Sequence, residues 1–515
     1  MTVMTLLSRV LGLVREQVRA HFLGTGMASD AYGLATMIPN LFRRLLAEGA
    51  MTAAFIPVFI DYMKGEKWRE TQAFLSKFLT LITLISAGLT VLGIVLTPWI
   101  IDVFFGSLGE IEGKIALTVA LTELMWPYLF FVTIASVLQA VLNAHKIFGP
   151  SAFTPVLLNV AIITCGVVLA EHLPDPSYGL IIGFLVGGAV QVGFQVPFLL
   201  RHTKLKLRPD FRIRHPGVRK VLFIMVPGIF AAGVYQVNVF VSQIIAATLE
   251  EGSIASLQYS VRLQELVLGL FVVSVTQVIL PTLSEQTADD DTDGVKDTLT
   301  YATGLMAFVT LPATAGLVLI GPEVIALLFQ YGEFDQRSTD MTSYALLFHA
   351  MGLFMIAGTR VYQQAFFAYK DMKTPALIGV VVTVVNIVLC IVLSGPLSHG
   401  GIALAGSIAA AVNAVMLFWI LRGRIGALRG GTIARRVGRI TLATGVMVGA
   451  LIGLEALWTA PGADARGMLA LWILTAVASA TAVYIIVCRV LGVDELDELW
   501  KSLRRKLKRS AGPRD

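Results

Sequence analysis

Arg15 and Arg19 stand four residues apart in a run that is otherwise almost wholly apolar, and Arg43 stands in a second such run, four residues after Pro39. Arg262 repeats the theme in LQYSVRLQELVLG, residues 257–269. A charged side chain at the centre of a bilayer costs about 2.5 to 3.5 kcal/mol on insertion scales, so each of these must face a wet cavity or pair with an opposite charge. The chemistry on offer is a cationic cavity, structural ion pairing, or a division of residues between the two.

Helix geometry separates the candidates. Arg15 and Arg19 share a face, with Gly12 one turn earlier. Arg9 is rotated away and lies nearer the end of its run, where snorkelling to the interface is the alternative to a cavity role. Arg43 and Arg44 diverge by about 100° and cannot both face one cavity squarely. Arg43 shares its stripe with Asn40, Thr36 and Ala47, which suits a cavity wall, whereas Arg44 has Glu48 four residues on and is expected to form a structural pair with it. Asp30, in GTGMASDAYGLA, stands where a span begins, either as a cavity acid or as a helix N-cap together with Ser29. Glu16, Glu123, Glu265 and Arg360 are available as counter-charges.

The elements that must carry these residues are membrane helices. The chain of 515 residues is 56% hydrophobic and 14% charged, against about 25% charged in an ordinary soluble domain. Runs of about 20 apolar residues recur from end to end, each long enough to cross a hydrocarbon core of about 30 Å as a helix. They show no period of two, which excludes a β-barrel. The expectation is an all-α polytopic membrane protein with fourteen spans, near 3–23, 31–60, 75–105, 116–142, 152–171, 178–200, 221–248, 254–282, 298–320, 340–368, 376–394, 401–421, 436–458 and 467–490. The first run holds Arg9, Arg15 and Arg19 with no small-residue cleavage site after it, so a removable signal peptide is not expected. Cys165, Cys390 and Cys488 fall inside apolar spans without metal-like spacing and read as core residues.

Sorting the 40 Lys and Arg residues orients the chain. Loops after even-numbered spans, with the C-terminal tail, hold 28 of them, whereas loops after odd-numbered spans hold only Lys114, Arg337 and Arg466. The positive-inside rule then places both termini in the cytoplasm. The same asymmetry accounts for the basic balance without nucleic acid. The strongly basic stretch 201–220 reads as a topogenic linker that meets lipid headgroups.

Shifting the chain against itself by 224 residues reveals a repeat. Pro57 falls on Pro281, Pro98 on Pro322, Gln139 on Gln363 and the loop residue Lys146 on Lys370. Spans 1–6 and 7–12 are thus expected to form two homologous lobes, 1–221 and 222–424, with residues 425–515 carrying spans 13 and 14 and a basic tail. An even number of spans per repeat makes the two parallel, as in transporters with rocking halves. Arg262 stands on the counterpart of Ile38, one turn from that of the double arginine, so both lobes place a cation at similar depth. The stretch ADDDTDG, 288–294, begins like a calcium loop, but Thr300 occupies the position where a bidentate Glu is required. No GxxxxGK[ST], HExxH or CxxC motif occurs, so ATP-driven transport and common hydrolytic chemistry lack support.

Residues 8–59, SRVLGLVREQVRAHFLGTGMASDAYGLATMIPNLFRRLLAEGAMTAAFIPVF, closely resemble the N-terminal signature of the MurJ (MviN) family, lipid II flippases of bacterial peptidoglycan synthesis. The likeness continues through LLNV at 157–160, FQYGEF at 329–334 and YKDMKTP at 369–375. It implies that Arg15, Arg43 and Arg262, with Asp30, are cavity residues, and that Arg9 occupies a signature position. Asn40 and Arg19 join them on the helix-face reading, and no metal site is expected. Lipid II carries a pyrophosphate between a sugar headgroup and a polyprenyl tail, and guanidinium forks suit phosphate oxygens. The resemblance implies alternating access, a tail groove at spans 13 and 14, an inner-membrane location, and a monomer in contact with membrane lipids and with proteins of cell-wall synthesis. No enzymatic activity or cofactor is expected. Some relatives are thought to hold sodium with acids and amides in spans 7, 11 and 12; here spans 7 and 11 offer Gln236, Asn238 and Asn386 but no acid, so the sequence supports neither a sodium nor a chloride site. A drug exporter of the same superfamily would favour acids and aromatics in its cavity, a membrane glycosyltransferase would need carboxylates near a membrane face, and a scaffold would have no use for cations at matched depth.

Overall fold

The computed structural model describes residues 2–46, 50–64 and 68–496, and every regular element among them is helical. The helices are α1 (Thr2–Leu23), α2 (Met27–Leu46), α3 (Ala50–Lys64), α4 (Trp68–Phe105), α5 (Lys114–Ala144), α6 (Phe148–Leu169), α7 (Pro176–His202), α8 (Pro216–Ala247), α9 (Ser253–Val267), α10 (Val273–Ala288), α11 (Thr292–Leu319), α12 (Gly321–Phe329), α13 (Gln336–Met351), α14 (Leu353–Ala368), α15 (Lys373–Ile425), α16 (Gly430–Leu457) and α17 (Arg466–Val490). A π-helical turn, Leu268–Val272, joins α9 to α10.

Length and hydropathy qualify eight of the described helices as spans, or ten if two bent pairs count once each. The difference from fourteen has physical causes. Helices α1 and α2 carry too many charges, α9 and α10 are divided by the π turn, and α15 is two arms that meet at Ser398, where φ is 48°. The expected span 31–60 falls on α2 and α3, with 47–49 outside the described residues.

Helix bounds follow the 224-residue shift closely. α1 ends at Leu23 and α8 at Ala247; α3 ends at Lys64 and α10 at Ala288; α4 ends at Phe105 and α12 at Phe329; α5 ends at Ala144 and α14 at Ala368. The turns repeat as well. Lys146 and Lys370 have φ of 62° and 57°, a left-handed conformation that glycine usually takes. In each turn two amides return to the preceding helix: Lys146 N donates to the Asn143 carbonyl and Ile147 N to that of Leu142, while Lys370 N donates to Phe367 and Asp371 N to Phe366. This is the Schellman ending, which satisfies carbonyls that a terminating helix would otherwise orphan.

The chain divides into two compact units. The first comprises residues 1–255 with 331–338, and the second 256–330 with 339–515. Contacts therefore group α8, which belongs to the second repeat by sequence, with the first unit. Its Val218, Val221 and Met225 pack into a core with Phe55, Phe59, Phe74 and Phe78. A separate cluster joins α1, α2, α5 and α7 through Leu23, Ala31, Leu121, Met125, Leu180 and Ile181. Small residues allow close helix contact here: a Cβ on Gly183 would lie 2.5 Å from the Ile162 Cα. In the second unit one core gathers Leu299, Leu353, Phe366 and Leu417, and another seats α16 and α17 on α11 through Ala307, Ile440, Ala443, Trp472 and Ala476.

The turn before α15 carries its own electrostatic clamp. Asp371 accepts from Lys373 N, Thr374 N and the Thr374 hydroxyl, and pairs with Arg424 at 2.7 Å. The Thr374 hydroxyl and amide, followed by Arg424, lower its pKa to about 2. A carboxylate whose folded pKa is depressed stabilises the fold above its unfolded value and loses that contribution as pH falls through the folded one. The stability difference between the protein and Asp371→Asn is therefore expected to be constant near neutrality and to shrink between about pH 4 and pH 2, read by thermal unfolding in detergent; a difference unaltered by acid would remove the clamp.

Candidate functional site

In α1, Arg15, Glu16 and Arg19 form one linked group. Arg15 Nη2 lies 2.6 Å from Glu16 Oε1, and Arg19 Nη1 lies 3.7 Å from Glu16 Oε2. Arg15 Nη1 also donates to Asn159 Oδ1 on α6 at 3.1 Å, and Asn159 in turn donates to the Ser8 carbonyl. Arg19 turns to α2, where it donates to the Ser29 carbonyl and hydroxyl and lies 4.8 Å from the Tyr32 ring centre. Arg19 is 4% exposed. The two arginines expected to share a cavity wall thus have different surroundings: Arg15 keeps partial access, and Arg19 fastens α1 to α2.

Asp30 is 1% exposed and does not cap its own helix, which begins at Met27. Its carboxylate reaches forward more than 200 residues in sequence, accepting from Gly252 N and Ala255 N at 2.9 Å each, and it pairs with Lys114 Nζ at 2.8 Å. Gly252 and Ala255 flank the start of α9, so Asp30 satisfies two amides that a helix N-terminus leaves open and supplies the negative charge favoured there. Of the two alternatives for Asp30, the cap of α2 shared with Ser29 is not formed: Ser29 serves Arg19, and Asp30 serves another helix. Lys114, which the sequence assigns to a loop, is 2% exposed. Only its place after Gly113, which has φ of 81°, hints that the chain turns inward there.

Around this pair the signature glycines have steric reasons. Gly24 has φ of 52°, and a Cβ there would lie 2.2 Å from the Glu333 carbonyl oxygen. Gly332, in FQYGEF, has φ of 56° and is equally close to the His21 carbonyl. Glu333 N donates to that carbonyl at 2.9 Å, and the Thr25 and Ser338 hydroxyls meet at 2.9 Å. Glu251 Oε1 accepts from Met27 N at 2.6 Å.

Arg43 stands in a different setting. Its Nε donates to Asn40 Oδ1 at 2.7 Å, so these two members of the expected stripe share a face, and Arg43 lines a cleft of about 770 Å³ within the first unit. Pro57, Tyr128, Gln139, Asn143 and Gln191 are among the other lining residues. Arg44 is exposed, and its expected partner Glu48 lies outside the described residues. Arg9 is exposed as well. Arg262, in the second unit, is exposed and pairs at 2.9 Å with Glu265, which the sequence offered as a counter-charge without assigning it a partner. It lies on α9 shortly before the π turn, a helical irregularity often found at functional sites. Among the described residues no group of three or more His, Cys, Asp or Glu side chains could hold a metal ion.

Many long apolar helices, two repeats in register and cations set within the apolar runs define a polytopic membrane transporter. The fold recurs in an inward-facing multidrug resistance MATE family transporter of the MOP superfamily, with a TM-score of 0.70 at 17% identity over 82% of this chain and 96% of that one. The chain belongs to the MurJ family: the family model described as "Lipid II flippase MurJ" matches residues 19–470. A probable lipid II flippase MurJ of Vibrio cholerae is 35% identical over 508 residues, covering 95% of this chain and 94% of that protein. The lipid II flippase MurJ of Burkholderia cenocepacia is 34% identical, with 82% of each chain covered. A solved lipid II flippase MurJ in an inward closed conformation superposes with a TM-score of 0.79 at 25% identity, over 96% of this chain and 98% of that one. The protein is accordingly a multi-pass protein of the bacterial inner membrane.

Removing one partner of a buried ion pair leaves an uncompensated charge and costs about 3 to 5 kcal/mol. Lys114→Met is expected to destabilise the protein by that amount, and Asp30→Asn combined with it to recover a large part. A double-mutant cycle by thermal unfolding checks this; additive effects would mean that the two groups do not interact.

Proposed function

We propose that the protein moves lipid II, the undecaprenyl-pyrophosphate-linked precursor of peptidoglycan, from the cytoplasmic to the periplasmic leaflet. The observation that carries this reading is Arg43 at the wall of a large cleft, in a chain whose family is that of the lipid II flippases. A guanidinium presents a planar fork of donors that matches two phosphate oxygens and keeps its charge at any physiological pH. Arg43 holds the pyrophosphate, with Asn40 fixing the direction of its side chain. Arg15 and Arg262 supply further positive charge, each moderated by a neighbouring glutamate. Arg19 and Asp30 position helices, while Arg9 meets headgroups at the interface. The polyprenyl tail stays in lipid throughout, so only the polar end crosses a wet path.

The transport cycle is alternating access of the two repeats, with both termini in the cytoplasm, a single chain as the working form, and neither chemical conversion nor a coupled cofactor. The driving force is electrical. Moving two negative charges outward across an inside-negative membrane is favoured by about 4.6 kcal/mol per 100 mV, from about 2.3 per charge. The emptied cationic cavity is drawn back by the same field.

Loss of a charge-assisted hydrogen bond of about 1.5 to 3 kcal/mol corresponds to about 10-fold to 100-fold in rate. Arg43→Ala and Arg262→Ala are each expected to lower externalisation of lipid II by that range in cells depleted of the native protein, scored by accessibility of the headgroup; normal externalisation with both variants would sink the assignment. In reconstituted vesicles an imposed inside-negative potential is expected to speed outward movement, and indifference to the potential would refute the electrical drive.

A further inference from the structure

Beside Arg43, the first-unit cleft carries two side-chain amides whose buried oxygens lack donors, a feature unsuited to phosphate. Gln191 is 6% exposed, and its Nε2 donates to the Thr154 carbonyl at 2.9 Å, which settles the orientation of the amide and leaves Oε1 buried without a hydrogen-bond donor. Asn143 Oδ1 is also buried without a hydrogen-bond partner. Both residues line the cleft with Gln139 and Arg43. Buried carbonyl oxygens repel anionic oxygens and call for donors, and leaving them unsatisfied is costly enough to need a reason. The volume of about 770 Å³ lies in the range of small-molecule sites.

We propose that this cleft is a sugar subsite, in which the amide oxygens of Gln191 and Asn143 accept from the hydroxyl and acetamido N–H groups of the headgroup sugar adjoining the pyrophosphate. The inference rests on the lipid II reading and adds to it a division of labour. Arg43 recognises the charge common to all polyprenyl pyrophosphates, and the amides recognise what is attached to it. Selectivity for a glycan-bearing lipid over the bare carrier thus originates in the first unit, on α5 and α7.

The test measures binding of three probes to the purified full chain in nanodiscs: lipid II, undecaprenyl pyrophosphate, and undecaprenyl pyrophosphate bearing a single N-acetylglucosamine. The native protein is expected to prefer both sugar-bearing lipids to the bare carrier. Gln191→Leu with Asn143→Leu should reduce that preference about tenfold while leaving affinity for the bare carrier within about twofold. Ala53→Trp, at the exposed rim of the cleft, should do the same by filling space without disturbing a buried amide, which guards against a folding defect in the first variant. Arg43→Ala should weaken all three probes alike. Preference retained in both the amide and the rim variants overturns the subsite, as does a native preference that appears only with the peptide-bearing lipid. Equal binding of all probes by the native protein also overturns the subsite but leaves recognition of the lipid pyrophosphate standing, whereas binding of none overturns the lipid II reading itself.

Discussion

A charge placed in an apolar chain has to be answered by another charge, by a row of backbone amides, or by water. Three charges of the first unit show these routes. Asp30 takes two at once, with Lys114 and the amides at the start of α9. Arg19 is answered by Glu16, a serine and a ring face. Arg43, bonded to Asn40, stands at the wall of the cleft.

The helical architecture was legible because lipid leaves helices few alternatives, and the repeat was legible because prolines, a glutamine and a lysine are scarce enough in such a chain to mark register. The lysine signalled more than register: Lys146 and Lys370 occupy the same left-handed turn with the same returning amides. Glu265 was visible as a counter-charge, but its pairing with Arg262, one helical turn away, is supplied only by the structure. The number of spans was less accessible, because the charges that make a helix functional also lower its apparent fitness for the membrane.

The partners of Asp30 were hidden for a different reason. An amide donor belongs to every residue but proline, so Gly252 and Ala255 carry no mark of their role. Lys114 carried a misleading one, since lysine near a helix end reads as a solvent-facing loop charge. Asn159 was visible within LLNV as part of a motif but without a task, which only its bond to Arg15 supplies. Arg19 was placed on the right face for the wrong company, because helix periodicity fixes direction and says nothing of which neighbour waits there.

The docking of residues 331–338 on the turn between α1 and α2 has a bearing on how the two repeats arose and can be handled. By ancestry the segment belongs to the second repeat, yet its hydrogen bonds to His21 and Thr25 place it in the first unit. Sequence duplication and physical modularity have therefore come apart. A first repeat cut at its boundary would lack a piece that only its sister fragment carries, so it is not a self-sufficient module. With the halves co-expressed, the second would have to lend that segment before the first could be complete.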